Sequence, residues 1–384
     1  TVIGAREFLI AYNINLNTRD RRLAQEIALN LRESGRVKKD KDGTIVRDSL
    51  GHTVKVPGKF KDVKAVGWYI EDYGIAQISI NFTNYRRSPV HAVFDETIKQ
   101  AEKLGLRVTG SELVGMIPKE AVLMAGRHYL EKQGKTAGVP EEEIMRTAVL
   151  SLGLNDVSRF DPDKKIIERQ FKEAGKTLGS LDLRAFADEV SMDSPAPGGG
   201  SVAALCGALS AALSSMVANL TYGKKGYERT GEDMKRIAVR AQELKDELLR
   251  AVDLDAWAFN KVMEAFRLPK GTEEQSRERE AAVEDASKGA ALVPLGVLAA
   301  AAELIGLAEA VARKGNRNSV SDAGVAGLTA QAAGEGAYYN VRINLPGIKD
   351  ERFKTRTAKQ AEALRRKLER SALALKKYMG NALK

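Results

Sequence analysis

The chain is short of cysteine, histidine and aromatic side chains, and each shortage removes a class of chemistry. A single cysteine, Cys206, excludes an intramolecular disulfide. It fits a reducing compartment, so a cytoplasmic location is the expectation. Cys206 stands among small residues at a helical position and reads as a core residue rather than a nucleophile. All three histidines, His52, His91 and His128, fall in the first third of the sequence. Acid–base work further along therefore falls to Asp, Glu, Lys or Tyr. No spacing resembles a metal site or a nucleophile triad. Aromatics make up only 6% of the chain, and no base-stacking motif is visible, which argues against a nucleic-acid partner. Apolar runs are short as well. Residues 202–218 are interrupted by serines and 289–302 end at Glu303, both below the roughly 20 residues of a membrane span, so no membrane partner is expected. No basic stretch with an apolar core opens the chain. Thr1 stands in the approach to a strand, so the natural N-terminus is expected upstream.

What is present is enough for two domains: 384 residues, 43% of them hydrophobic, against the about 100 to 200 residues of a typical single domain. The formal charge of +10 and pI near 9.4 favour anionic partners, whether nucleic acid, an acidic membrane face or a polycarboxylate.

The hydrophobic period changes part-way along. Residues 8–16, 63–70, 75–82 and 106–114 read as strands, while 21–33 and 89–104 read as amphipathic helices, a sheet with helices packed on it. The charged, turn-rich stretch 38–61 reads as an excursion containing a weak hairpin. Helices are expected to begin at Pro118, Pro140 and Asp163. Residues 174–180, with Gly175 and Gly179, read as a linker. Everything after it is expected to be helical: 202–220 around an apolar row of Val202, Leu205, Leu209, Leu213, Val217 and Leu220, then 232–266, 289–312, 322–345 and 351–379. Small residues on these helices suit close backbone packing in a bundle. The fold class is thus α+β in two parts, a sheet-and-helix domain over 1–173 and an all-α bundle over 181–384.

Ser194-Pro-Ala-Pro-Gly-Gly-Gly-Ser201 leads directly into the helix at Val202. Gly198, Gly199, Gly200 and Ser201 would leave backbone N–H groups bare at a helix N-terminus, suited to an anionic or carbonyl oxygen. The alternative is a tight turn that lets two helices approach. No Lys-Ser/Thr follows the glycines, so this is not a P-loop.

Asp255 falls inside the apolar row Leu248, Val252, Phe259, Val262 and Phe266, where desolvation would raise its pKa into a range useful for proton transfer. A buried ion pair is the competing reading. Asp253 falls on the neighbouring face with Leu249 and Trp257. Asn340 and Asn344 share a helical row with Ala333 and Ala337. They offer paired donors and acceptors of the kind a pterin ring needs, or else bridges between helices. Asp322, after Ser321 at the expected start of its helix, is a further substrate-binding candidate, with N-capping the expected job of one of these two. His91, on the row of Phe94 and Ile98, reads as a half-buried structural histidine.

Taken in order, Ala196-Pro-Gly-Gly-Gly-Ser-Val-Ala-Ala204, Thr221-Tyr-Gly-Lys-Lys225, Val252-Asp-Leu-Asp255, Arg267-Leu-Pro-Lys270 and Asn340-Val-Arg-Ile-Asn-Leu345 resemble the cyclodeaminase domain of the formiminotransferase-cyclodeaminase family. Residues 4–16, 65–69, 75–79 and 110–115 resemble the C-terminal subdomain of its formiminotransferase. The resemblance implies conversion of 5-formimidoyl-tetrahydrofolate to 5,10-methenyl-tetrahydrofolate with loss of ammonia, Asp255 as the catalytic group, and tetrahydrofolate as substrate carrier with no further cofactor. It implies a homo-oligomer. It also implies that the transferase histidine belongs to an N-terminal subdomain outside this sequence, supplied by a longer chain or a separate one. Lys224, Lys225 and Lys270, together with residues 365–367, are candidates to hold a polyglutamate tail. A methenyltetrahydrofolate cyclohydrolase and a non-catalytic folate-binding assembly subunit are the competing functions.

Overall fold

The computed structural model describes residues 8–171 and 177–384 and divides the chain into two compact units, 1–134 with 140–173, and 135–139 with 174–384. Residues 4–7 of the first family-like stretch and 174–176 of the expected linker lie outside the described residues.

In the first unit, β1 (Ile10–Leu16), β4 (Val63–Ile70), β5 (Ile75–Phe82) and β6 (Val108–Val114) form a sheet of order β4-β5-β1-β6, antiparallel throughout. Alternation places Ile10, Tyr12, Ile14 and Leu16 on one face, buried with Ile78, Ile80 and Phe82. Helix α1 (Arg21–Leu31) packs on this sheet through Ala24, Ile27, Ala28 and Leu31. It lies so close that a Cβ at Gly67 would sit 2.1 Å from the Gln25 nitrogen, which is why that strand position has no side chain. The excursion contains β2 (Arg36–Val37) paired with β3 (Lys55–Val56) and two isolated bridges, Lys39 with Ile45 and Arg47 with Thr53. Helices α2 (Val90–Lys103), α3 (Lys119–Lys132) and α4 (Glu141–Ser151) follow. The helix expected at Asp163 is only a four-residue turn, α5 (Pro162–Lys165), followed by a 3-10 stretch, Ile167–Phe171.

The second unit contains α6 (Leu183–Val190), α7 (Gly199–Thr221), α8 (Gly231–Arg267), α9 (Glu273–Lys314), α10 (Val320–Asn344) and α11 (Glu351–Ala382). Helix α7 packs against α8, α9 and α10. Of the apolar row, Val217 alone is fully buried in the core, with Leu205 and Leu213 packed against its edge. Ala204, Ala208, Ala211, Ser214 and Ala218 are buried while Val202, Leu209 and Leu220 are exposed. Large neighbours fill the space the small residues leave: Leu248 of α8 reaches within 3.0 Å of where a Cβ of Gly207 would be. Helix α9 begins sixteen residues before the expected Gly289, with a capping box between Thr272 and Gln275.

The lengths of α7 and α9 also correct the span argument. Both are long and apolar enough to cross a membrane by length and composition, with mean hydropathies of 1.7 and 2.0 over their most apolar windows. Their burial within the bundle, 61% and 56% of those windows, is the pattern of core helices.

Residues 135–139 belong to this helical unit. The Thr136 hydroxyl donates to Asn219 Oδ1 at 2.5 Å, and the Gly138 carbonyl accepts from Asn219 Nδ2 at 2.6 Å and from Ser215 Oγ at 2.9 Å.

Candidate functional site

Helix α7 opens on Gly198, whose extended backbone (φ −136°, ψ −154°) makes the cap without any side-chain hydrogen bond. Gly200 is there for space. A Cβ on Gly200 would lie 2.1 Å from Asp255 Oδ1 and 2.5 Å from Oδ2, so only a glycine lets the carboxyl rest against the first turn of the helix. The next residue holds it there. The Ser201 hydroxyl donates to the Val252 carbonyl at 2.8 Å, lies 3.3 Å from Asp255 Oδ2, and the Ser201 backbone N–H also bonds the carboxyl.

Asp255 stands where the core row of α8 emerges from the bundle. Leu248 and Val252 are buried, Asp255 is half-buried, and Phe266 is 48% exposed. Burial raises the Asp255 pKa above the ordinary carboxylate value, and the Ser201 hydrogen bonds only partly offset it. The outcome is a carboxyl with a proton affinity above that of a solvated Asp, fixed in direction and reachable from outside. No cation is paired with it among the described ion pairs.

A third helix reaches the same place. Asn340 of α10 has its Nδ2 3.6 Å from the Cβ position of Gly199 and bonded at 2.8 Å to the Gly336 carbonyl. Gly199, Gly200, Ser201, Asp255 and Asn340 therefore come together from three helices. Asn344 does not join them as a free amide. Its Nδ2 donates to the Ala290 carbonyl at 2.9 Å, tying α10 to α9.

The remaining candidates lie elsewhere in the unit. Lys224 and Lys225 follow the far end of α7, whose 23 residues span about 33 Å. Lys224 Nζ donates to Asn316 Oδ1 at 2.9 Å and stands over the Tyr227 ring. Asp322, eighteen residues before Asn340 on α10, is about 27 Å away along the helix. Neither it nor Ser321 caps α10, because the helix starts earlier, after Ser319. Lys270 is exposed beyond the end of α8. Arg365 and Arg366 are held in ion pairs to Glu335, Glu369 and Glu362. Within one chain these cations make no continuous track.

Two features escaped the sequence reading. Asp253 accepts from the Leu178 N–H at 2.5 Å and the Gly179 N–H at 3.4 Å, fastening the chain just before α6 to α8 two residues from Asp255. In the first unit, the second face of the sheet is polar. Gln77 donates to Asn15, Asn15 to Asp156 and Asn13 to Glu112, at 2.7, 2.8 and 3.2 Å. The alternating asparagines of Tyr12-Asn-Ile-Asn15 were the available signal. His91 is half-buried as expected, stacked on His128 with ring centres 4.4 Å apart, and burial pushes its pKa down to about 4.

Known proteins share both halves. A family model described as formiminotransferase-cyclodeaminase matches residues 182–363, and one described as formiminotransferase domain matches 11–172. A formimidoyltransferase-cyclodeaminase of Dictyostelium discoideum is 36% identical over 385 residues, covering 99% of this chain and 67% of that protein. The chain belongs to the formimidoyltransferase-cyclodeaminase family. The family's Gallus gallus member is 40% identical across 95% of this chain, which spans 64% of that protein's length. A methenyltetrahydrofolate cyclohydrolase of Methylorubrum extorquens is 42% identical over 186 residues, 48% of this chain and 89% of its own. A solved formiminotetrahydrofolate cyclodeaminase from Thermotoga maritima shares 33% identity over 53% of this chain, with a TM-score of 0.49.

Proposed function

We propose that the helical unit is a formimidoyltetrahydrofolate cyclodeaminase, forming 5,10-methenyl-tetrahydrofolate and ammonia from 5-formimidoyl-tetrahydrofolate. The observation that carries this reading is Asp255, a half-buried carboxyl with a raised pKa, fixed by Ser201 against a glycine helix start and open on one side.

The reaction closes a ring within one molecule. N10 adds to the carbon of the protonated formimino group on N5, forming the C–N10 bond. N10 then loses its proton, the amino nitrogen gains one, and the C–N bond to it breaks, releasing ammonia and leaving the methenyl cation. Because both nitrogens belong to one substrate, the protein's work is to hold the ring-closing conformation and move that proton. Asp255 is placed to do both halves of the transfer, as a base toward N10 and then as an acid toward the leaving nitrogen. The bare N–H groups of Gly199 and Gly200 and the amide of Asn340 are placed to orient the pterin, and no residue has to supply a metal or redox step. The folate is expected to carry a polyglutamate tail, and the first unit to serve formimino transfer as part of a larger transferase site.

The sequence relationship to a cyclohydrolase supports a second reading, addition of water to methenyl-tetrahydrofolate. The purified protein should be given each substrate separately, following ammonia release in one case and loss of methenyl absorbance in the other. Ammonia release at a rate well above methenyl hydrolysis supports the cyclodeaminase, and the reverse order overturns it. Folate binding with neither turnover would leave an assembly role.

A further inference from the structure

Residues 178–201 leave one turn of α8 and return to it. At the start of the segment Asp253 accepts from the Leu178 N–H at 2.5 Å and the Gly179 N–H at 3.4 Å. At its end Ser201 donates to the Val252 carbonyl at 2.8 Å, and Asp255 rests against Gly200. Val252, Asp253 and Asp255 lie within a single turn of the helix. The 21 residues between Gly179 and Ser201 therefore form a loop closed at the edge of the Asp255 site, with one carboxyl at each end of it. A Cβ on Gly179 would stand 3.2 Å from Asp253 Oδ2 and 3.5 Å from the Leu249 carbonyl oxygen, so the glycine keeps this end of the loop close to α8.

Between those ties the segment is held by little. None of residues 181–196 is buried. Their hydrogen bonds stay within 178–197: Asp182 caps α6 at the Ala185 N–H, Ser191 donates to the Asp188 carbonyl and Ser194 to the Ala196 carbonyl. Few buried contacts and purely local hydrogen bonds mark an element that can move as a unit. Helix α6 is nevertheless amphipathic. Leu183, Phe186, Ala187 and Val190 recur at three and four and form one apolar stripe, with Arg184, Asp188 and Glu189 on the other side. Phe186 packs on the bundle core, whereas Leu183 is 86% exposed and Met192, just past the helix, 60% exposed. The stripe carries more apolar surface than the free protein covers.

We propose that residues 181–196 close over the folate bound at Asp255, and that Asp253 is the positioning residue that sets where they close. The proposal rests on the reading of Asp255 and its surroundings as the cyclodeaminase site. The apolar stripe is the side that meets the pterin and benzoyl rings, which need an apolar wall besides their hydrogen bonds. Closure there expels water from the place where N10 attacks. Asp253 touches neither the substrate nor the reacting atoms and acts through the segment it ties. Without the tie one end of the loop is free, and the closed position becomes one of many. Asp255 keeps its seat, because Gly200 and Ser201 hold it independently of Asp253.

Closure is tested without reference to turnover, by hydrogen exchange and mass spectrometry on the full chain. The probe is 5-formyl-tetrahydrofolate, an analogue with oxygen in place of the formimino nitrogen. In excess it should slow exchange of residues 181–196 by about tenfold or more. Exchange there that is unchanged by the probe overturns the closure.

The role of Asp253 is tested by how its loss divides between KM and kcat. Asp253→Ala should raise the KM for ammonia release about tenfold, the scale of hydrogen bonds to a carboxylate, and leave kcat within about threefold. Asp253→Asn keeps an acceptor for the Leu178 N–H and should recover most of that loss. A tie that serves only the fold gives the opposite pattern, a lower melting temperature with KM unmoved, and that result overturns the positioning role. Where Asp253→Ala does not fold, Gly179→Ala, whose methyl pushes the chain off the carboxylate, takes its place with the same expected division. A wild-type chain that releases no ammonia counts against the cyclodeaminase reading instead, and the exchange measurement, which needs binding alone, still decides the closure.

Discussion

Replacing Gly200 with alanine separates space from stability. The added methyl would stand 2.1 Å from Asp255 Oδ1 and 2.4 Å from its Cγ, inside any allowed contact, so the carboxyl has to swing off the helix start. Doing so breaks its bonds to Ser201, a loss of about 1–2 kcal/mol for hydrogen bonds to a carboxylate partly open to water. Against this, alanine is favoured over glycine in a helix by up to about 1 kcal/mol. The two effects nearly cancel, and the melting temperature should move by no more than a few degrees. Turnover should not be spared. A carboxyl displaced from its position loses most of what general acid–base catalysis supplies, about 10²-fold or more. Methenyl absorbance gives the rate and thermal melting gives the stability. Turnover within twofold of wild type in a normally melting Gly200→Ala protein would refute the claim that the glycine exists to seat Asp255.

Asp255→Asn should lower turnover by about 10²-fold or more with the fold retained, measured by ammonia release. It should also alter stability in one direction. Burial raises the folded pKa of Asp255 above 3.8, so the stability linked to its proton is complete below the unfolded value and lost as pH rises through the folded one. Asp255→Asn should therefore gain stability relative to wild type only on the high-pH side of that window, checked by denaturant titrations at a series of pH values. The acid limb of kcat/KM should likewise lie above the ordinary Asp range. Ser201→Ala should move that limb to still higher pH, since the lost hydrogen bonds favour the charged form; an unmoved limb would remove Ser201 from the positioning of the carboxyl. Asn344→Ala should cost about 1–2 kcal/mol of stability by leaving the Ala290 carbonyl without its donor. Its KM should stay nearly unchanged, and a large KM effect would restore Asn344 to the binding site.

The sheet was legible because its strands alternate, and the long helices because their apolar residues recur at three and four. The charged start of α9 was not, since residues 273–288 have little apolar pattern and are helical through capping and continuity with the core that follows. The orientation of α7 was misjudged for a physical reason. Periodicity assigns large apolar residues to the core, yet here glycine, alanine and serine face inward because Leu248 and its neighbours supply the bulk. Asp255 was legible from its row and the glycines from their run. Their contact was not, because the 54 residues between Gly200 and Asp255 close only when α7 meets α8. Lys224 was drawn in by motif membership and Asp322 by its place at an expected helix start, and neither signal carries a distance.

The strap formed by residues 135–139 bears on how this gene can be divided. Its backbone supplies the Gly138 carbonyl to Ser215 and Asn219 on α7, and Thr136 returns a hydroxyl to Asn219. A Cβ on Gly138 would lie 2.3 Å from the Ala238 carbonyl carbon, so the strap is pressed flat on α8 as well. A reading frame opened at residue 174 would deliver every helix of the second unit while leaving two α7 side chains facing a vacated groove. The division between the two units is therefore interleaved along the chain rather than a single cut, and a recombination event that respects only the linear order of the helices would leave part of the second fold behind.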